Sequence, residues 1–512
     1  MNRRWALPLL LALAFGWHLA LRLHGVGLPL LSDEGEYAYA ARVWSDGGLP
    51  YRDVFNQKPP MVIALYRACA ALSSSPAAPR YAAMLAALLT GLALLLLAPK
   101  RWTVPARLAA PLAYLTLSTA PVGDFGFAAN TEVFAAAFIA WAVWAASRAT
   151  WGFAALSGLL AGAALMTKQT ALWPALAAGA FAAWRGGRTV EPKAAAAFAG
   201  GCALVPLFWL GYFWARGGLG FFWDCVVAGN MRYASQAGWS AAAEQARFFA
   251  VDLGPAFLKG SWPAWALAAF GLRGLEARWD NRGELAAVLW LAGGLLAAAT
   301  GLLLFPHYFL QAAPPLCLLA AYGVARLRGE KARWAAVAAL ALLPAAAHAD
   351  FYFAKGREAV AKDLLYPSPL LETEGLGAWL RERTDDSDLI WVFGSEPALY
   401  VYSGRRAATR HDFVYPLTMF PKSAAPLEAE LAALRAARPA YVVYVNQPIS
   451  TLIGSRLGLS FRDAVRDWLA ADYRLEGYVP VGRTPAPFSV VGAAQPDWGE
   501  ANRLYVFKRR SP

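Results

Sequence analysis

Eleven apolar runs, most of them parted by short charged turns, leave this chain few folds to choose from. They cover Trp5–Leu23, Tyr81–Ala98, Leu108–Val122, Thr131–Ser147, Gly152–Met166, Thr170–Trp184, Ala194–Trp214, Ser261–Leu272, Glu284–Phe305, Phe309–Ala325 and Trp334–His348. Several match the ~20 residues of a membrane-crossing helix and others are shorter. The first run follows Asn2, Arg3 and Arg4. No small-x-small cleavage site follows it, so it reads as a retained helix and not a signal peptide. With 58% hydrophobic and 16% charged residues in 512, a soluble protein of ordinary composition is excluded. The expected class is a polytopic α-helical membrane protein with about 11 transmembrane helices.

The turns between runs fix an orientation. With the N-terminus inside, the inner segments hold sixteen basic residues against five acidic ones, whereas the outer loops before His348 carry ten of each. Cytoplasmic loops collect Lys and Arg, so the N-terminus is expected in the cytoplasm and the C-terminus outside. The formal charge of +13 is thereby accounted for, since no basic stripe or nucleic-acid motif is present and no nucleic-acid partner is expected. Cys69, Cys202, Cys225 and Cys317 are far apart, without CxxC spacing, and read as small buried hydrophobes.

From Phe351 onward the composition changes. Short β-like runs (Leu389–Phe393, Tyr441–Val445, Tyr473–Val481, Leu504–Lys508) alternate with helix-like ones (Glu374–Arg383, Ala425–Ala437, Phe461–Ala471). Two domains are expected: a membrane domain over 1–350 whose first outer loop is 24–80, and an extracytoplasmic α/β domain over 351–512. Met61–Leu72 is apolar but too short to span, and is expected to lie as a helix near the outer surface.

The polar residues that stand out all fall on the outer side. Asp33, Glu34, Glu36 and Lys58 are in the first outer loop; Asp124, Asn130, Thr131 and Glu132 at the next outer turn; Thr167, Lys168 and Gln169 at the third; His307 and Tyr308 at the fifth. Each has a plain alternative. Asp33 suits a helix N-cap with Glu36 completing a capping box, Lys58 a snorkelling lysine, and Glu132 a charge at a positive helix end. His307 suits an interface residue beside Tyr308. Their convergence at one depth is what points to a site. Lysines there match a lipid phosphate, and a carboxylate can take the proton of an attacking hydroxyl or amine.

DEGEYAYAARVWSDGGLPYRDVFNQKPP, with its acidic pair after the first span, its GGLPYRD segment and its KPP triplet, resembles the first outer loop of bacterial membrane glycosyltransferases. The group is glycosyltransferase family 39, of GT-C architecture, related to protein mannosyltransferases and the lipid A aminoarabinose transferase. NTE at 130–132, GLLAGAALMTKQTAL around Lys168 and HYFLQAAPPLCLLAA after His307 look like further blocks of that group, so the resemblance covers about residues 5–330. It implies an inverting glycosyltransferase in the bacterial cytoplasmic membrane that moves a sugar from a polyprenyl-phosphate carrier to a lipid, glycan or protein acceptor on the outer face. It also implies Asp33 as base with Glu34 orienting the acceptor and Glu36 a third acid, so that the choice of base stays open. Lys58 and Lys168 would meet the donor phosphate, and Glu132, Asn130, His307 and Tyr308 would line the pocket. The matching motif has no evident metal cage, so no metal and no cofactor is expected.

Three other functions compete; one of them, an anchored outer binding protein, would leave the intramembrane Lys168 unexplained. An oligosaccharide ligase or polymerase using a polyprenyl-diphosphate donor would want more positive charge. A glycolipid transporter would place its polar groups near the midplane in matched halves.

Overall fold

The computed structural model describes residues 3–122, 126–186, 189–235, 239–273, 282–419, 421, 423–484, 488–490 and 496–510. Asp124, expected at the second outer turn, lies outside them.

Each of the eleven apolar runs holds a long helix. The first half of the chain forms α1 (Arg3–Val26), α2 (Ser32–Ser45), α3 (Pro60–Leu72), α4 (Ala78–Leu97), α5 (Val104–Leu117), α6 (Thr131–Ala146), α7 (Trp151–Leu165), α8 (Leu172–Ala183) and α9 (Pro192–Ala215). Four more long helices follow at Gly254–Leu272, Arg282–Ala299, Ala313–Arg326 and Glu330–Ala347. Three of the described helices, α4, α9 and Arg282–Ala299, are long and apolar enough to cross a membrane by length and composition. Alanine and glycine at the contacts let the helices approach closely: a Cβ on Gly158 would meet the Phe198 carbonyl oxygen at 2.0 Å, and one on Gly323 the Leu267 carbonyl oxygen at 2.0 Å. Small residues of this kind are how helices pack where the solvent is itself apolar. The exposed large side chains Leu204, Leu207 and Phe208 on α9, and Leu85 and Leu89 on α4, suit a lipid environment.

α3 is the short apolar helix expected between the first two long ones, started by Pro59 at its N-cap and Pro60 at its first position, where a missing N–H costs nothing. α2 differs from expectation at its start. Its N-cap is Leu31 and not Asp33, and the first-turn acid that reaches back to the N-cap amide is Glu34 at the third helical position, accepting from Leu31 N–H at 3.1 Å.

A short hairpin, β1 (Trp184–Gly186) with β2 (Thr189–Val190), joins α8 to α9. The remaining strands build one mixed sheet. They are β3 (Leu389–Phe393), β4 (Arg406–Ala407), β5 (Tyr441–Asn446), β6 (Tyr473–Pro480), β7 (Ser489–Val490) and β8 (Arg503–Arg509), in the order β4-β3-β5-β8-β6-β7. β3 is parallel to β4 and β5, and β8 runs antiparallel between β5 and β6. One face, with Trp391, Phe393 and Tyr444, packs on the helices Ala424–Ala437 and Arg456–Asp472 through Leu427, Leu434, Val465 and Trp468. Ile390, Val392, Val443 and Val445 on the other face belong to the same core cluster as Tyr37 and Tyr39 of α2. β5 is buried along nearly its whole length because both faces are covered, and its continuous apolar run YVVYV follows from that.

The sheet region thereby sits directly on the segment between α1 and α4. Tyr39 Oη accepts from Ala407 N–H at 2.7 Å, Phe55 N–H donates to the Arg410 carbonyl at 2.7 Å, and Arg42 donates to the carbonyl oxygens of Tyr400 and Gly404. Gly35 makes the contact possible, since a Cβ there would meet the Ala398 amide nitrogen at 2.5 Å.

Candidate active site

Three buried or half-buried ion pairs lie along the seam between these interhelical turns, and they differ in how far their charges are already satisfied. Glu34 and Arg80 form the first. Both side chains are 1% exposed. Arg80 Nε donates to Glu34 Oε1 at 2.8 Å and its Nη2 to Oε2, while further Arg80 N–H groups reach the carbonyls of Gly25, Val26, Leu28 and Pro29. Glu34 also accepts from the amides of Leu31 and Ala129. A carboxylate with four donors and a guanidinium with every donor used is a closed unit. Glu34, expected to orient an acceptor, is thus tied to the frame: it joins the end of α1, the start of α2, α4 and the turn before α6.

Lys168 and Glu132 form the second pair. Glu132 stands in the first turn of α6, wholly buried, and Lys168 in the turn after α7, 5% exposed. Lys168 Nζ donates to Glu132 Oε1, and Thr131 Oγ1 donates to Oε2 at 2.8 Å. His307 Nε2 lies 3.9 Å from the same Oε1, and Lys168 Nζ sits 3.9 Å from the centroid of the Tyr308 ring, a cation–π distance. Asn130 is the N-cap of α6 and is buried. Glu132, Lys168, His307 and Tyr308, from three separate interhelical turns, therefore meet.

Asp33 and Lys58 form the third, the most open of the three. Asp33 is 30% exposed on its side chain and Lys58 19%, with Lys58 Nζ 3.6 Å from Asp33 Oδ2. That is an ion pair beyond hydrogen-bond length. Tyr37, one helical turn along α2, donates its hydroxyl to the same Oδ2 at 3.0 Å. Burial pushes the Asp33 carboxyl up, but Lys58, His307, Lys168 and the Tyr37 hydroxyl together outweigh it and bring it down to about 2. Burial alone would lower the Lys58 ammonium, yet Asp33 foremost, with Glu36 and Glu132, holds it above its usual range. Glu36 is different again. It is buried at 5% exposure, its Oε1 has no hydrogen-bond partner among the described residues, and burial and the nearby Asp33 push its carboxyl well above the usual range. Burial of this kind disfavours the charged form of the carboxyl.

The backbone that carries Lys58 is fixed. Tyr51, in the left-handed region at φ 72°, donates its hydroxyl to the Lys58 carbonyl at 2.8 Å, and Lys58 N–H donates to Asn56 Oδ1 at 2.8 Å. The turns are tied to one another by Met61 N–H to the Met166 carbonyl (2.9 Å), Gln169 Nε2 to the Gln57 carbonyl (3.1 Å) and Gln311 Nε2 to Thr170 Oγ1 (3.1 Å). The charges of His307 and Lys168, as well as that of Lys58, favour the ionised form of Asp33, so the second and third pairs are electrostatically coupled. Among the described residues no group of three or more His, Cys, Asp or Glu is placed to hold a metal ion.

Sequence reasoning missed Tyr37 and Arg80. Tyr37 carries a signal in its spacing, since positions i and i+4 of a helix share a face. Arg80 is a lone arginine at the start of an apolar run, and an intramembrane or interfacial charge demands a partner.

No protein-family model and no curated protein matches the chain. Solved structures do. ArnT from Cupriavidus metallidurans bound to undecaprenyl phosphate is 14% identical, with a TM-score of 0.59 over 99% of this chain and 98% of that one. The Archaeoglobus fulgidus oligosaccharyltransferase in its apo form is 13% identical, with a TM-score of 0.51 over 96% of this chain and 75% of that one. AglB from the same organism, in complex with an inhibitory peptide and a dolichol-phosphate, is 11% identical at a TM-score of 0.51, over 97% and 75%. At such identities the likeness is one of fold. The chain has the GT-C fold of these membrane transferases, and its cluster of Asp33, Lys58, Glu132, Lys168 and His307 lies within that fold.

Proposed function

We propose that the protein is an inverting glycosyltransferase of the bacterial cytoplasmic membrane, moving a sugar from a polyprenyl-phosphate carrier to an acceptor on the outer face. Its eleven long helices (those labelled α1 and α4 to α9, and the four from Gly254 to Ala347) would all be membrane-embedded, with the N-terminus cytoplasmic. Residues 1–350 would form the membrane domain and 351–512 an extracytoplasmic domain resting on it. The observation that carries this reading is the open pair Asp33–Lys58: a carboxylate held ionised and an accessible ammonium side by side, in a fold shared with a protein solved with undecaprenyl phosphate.

In the reaction, Asp33 accepts the proton of the acceptor hydroxyl or amine as that atom forms its bond to the anomeric carbon. The bond from that carbon to the phosphate oxygen breaks on the opposite side, and its electron pair leaves on the carrier phosphate. Lys58 faces the charge on the departing phosphate. Lys168 stays with Glu132 and, with His307 and Tyr308, shapes the pocket wall. Glu34 holds the frame.

The test is transfer of labelled sugar from a panel of polyprenyl-phosphate-linked sugars to acceptors in membranes carrying the protein. Wild type transfers at least one of them and Asp33→Asn loses transfer by about 10²–10⁴-fold while remaining folded. Undiminished transfer by Asp33→Asn removes the proposal.

A further inference from the structure

Of the three pairs, two are closed and one is not. Glu34 and Arg80 use all their hydrogen-bonding capacity on each other and on the backbone. Lys168 is hydrogen-bonded to a wholly buried Glu132. Lys58 alone is partly exposed and stands beyond hydrogen-bond length from its carboxylate. Its backbone is pinned by Tyr51 and Asn56 and followed by Pro59 and Pro60, so only its flexible side chain is at liberty. Asp33, for its part, receives Tyr37 and Lys58 on the same oxygen, Oδ2, and its Oδ1 has no hydrogen-bond partner among the described residues.

We propose that Lys58 is shared in turn between Asp33 and the donor phosphate, so that the lipid-linked donor loads first and its capture of Lys58 releases Asp33 to work as the base. This rests on the glycosyl-transfer reading above. A carboxylate pinned by a cation is a weak base, because its proton affinity is low. The donor's phosphodiester, a monoanion, arriving beside Lys58 draws the ammonium away and adds negative charge, and both changes raise the proton affinity of Asp33. Tyr37 keeps hold of Oδ2 meanwhile, so Oδ1 stays aimed outward at the acceptor. Linkage makes the effect reciprocal: if the phosphate loosens Asp33 from Lys58, then Asp33 weakens the binding of phosphate. The counter-intuitive consequence is that removing the catalytic base improves donor-phosphate binding.

The experiment measures binding of undecaprenyl phosphate to the full-length protein in lipid nanodiscs, for wild type, Asp33→Asn, Asp33→Ala, Lys58→Ala and the double variant Asp33→Asn/Lys58→Ala, each checked by its thermal unfolding. Lys58→Ala weakens binding, both Asp33 variants tighten it by about fivefold or more, and the gain disappears in the Lys58→Ala background. Unchanged or weaker binding by both Asp33 variants overturns the inference. So does a gain that persists in full without Lys58, since that is general repulsion and not competition for one cation. Absence of saturable binding to any of the proteins overturns the glycosyl-transfer reading together with it.

Discussion

Asp33 and Glu34 are neighbours in the chain, both acidic, both opposite a basic residue, and the structure gives them opposite work. Glu34 turns inward, where Arg80 and two backbone amides saturate it. Asp33 is partly exposed, keeps one oxygen without a partner among the described residues, and faces a lysine at 3.6 Å. Charge and burial are common to both pairs; what separates them is whether any hydrogen-bonding capacity remains. A saturated pair can only hold a structure together, while an unsaturated one can exchange partners.

The sharpest way to break this contrast is to disturb the closed pair. Arg80→Ala leaves Glu34 and four carbonyl groups without their donor in a buried place, and should cost about 3–5 kcal/mol of stability. Thermal unfolding of the detergent-solubilised variant checks this; a midpoint equal to wild type would mean the pair is not a structural anchor. Tyr37→Phe acts on the open pair and more gently. Loss of a hydrogen bond to a charged group is worth about 1.5–3 kcal/mol. Because that bond lowers the Asp33 carboxyl, its loss raises it, and the acid limb of the kcat/KM profile should move to higher pH with KM for the donor little changed. A profile that does not move would assign Tyr37 to packing against Tyr66, 5.4 Å away.

The smallest effect belongs to Glu36. Its carboxyl is raised in the folded protein above an unfolded value of about 4.3. Its contribution to stability is therefore complete below about pH 4.3 and is lost as pH rises through the folded value. Glu36→Gln should narrow the loss of thermal stability between pH 5 and pH 9. A variant whose loss matches wild type would place the pH dependence elsewhere, with Asp412 the first alternative: it too is fully buried, with both carboxylate oxygens unpartnered among the described residues and its carboxyl pushed up by burial.

Much of this architecture is legible in the sequence, because an apolar run flanked by charges admits few conformations. The helices from α4 to Glu330–Ala347 fall on the expected runs, and β3, β5, β6 and β8 on the expected β-like segments. The two-residue strands β4 and β7 were not legible, since a strand that short has no period to detect. The convergence of Glu132, Lys168 and His307 could be read from topology alone. The fate of Glu34 could not: its partner is 46 positions away, and pattern within a loop says nothing about which of two adjacent acids a distant arginine will take. The same holds for the docking of Ala407 and Arg410 on the segment between α1 and α4, which depends on contacts across more than 350 positions.

The most direct test of the central claim replaces the substrate that needs a base by one that does not. Asp33→Ala protein is supplied with a polyprenyl-phosphate-linked sugar, with and without azide, an anionic nucleophile that carries no proton to remove. The account predicts that azide restores donor consumption and yields a glycosyl azide of inverted anomeric configuration, while transfer to the hydroxyl acceptor stays lost. Wild-type transfer to the hydroxyl acceptor by Asp33→Ala, or an azide product of retained configuration, would contradict it.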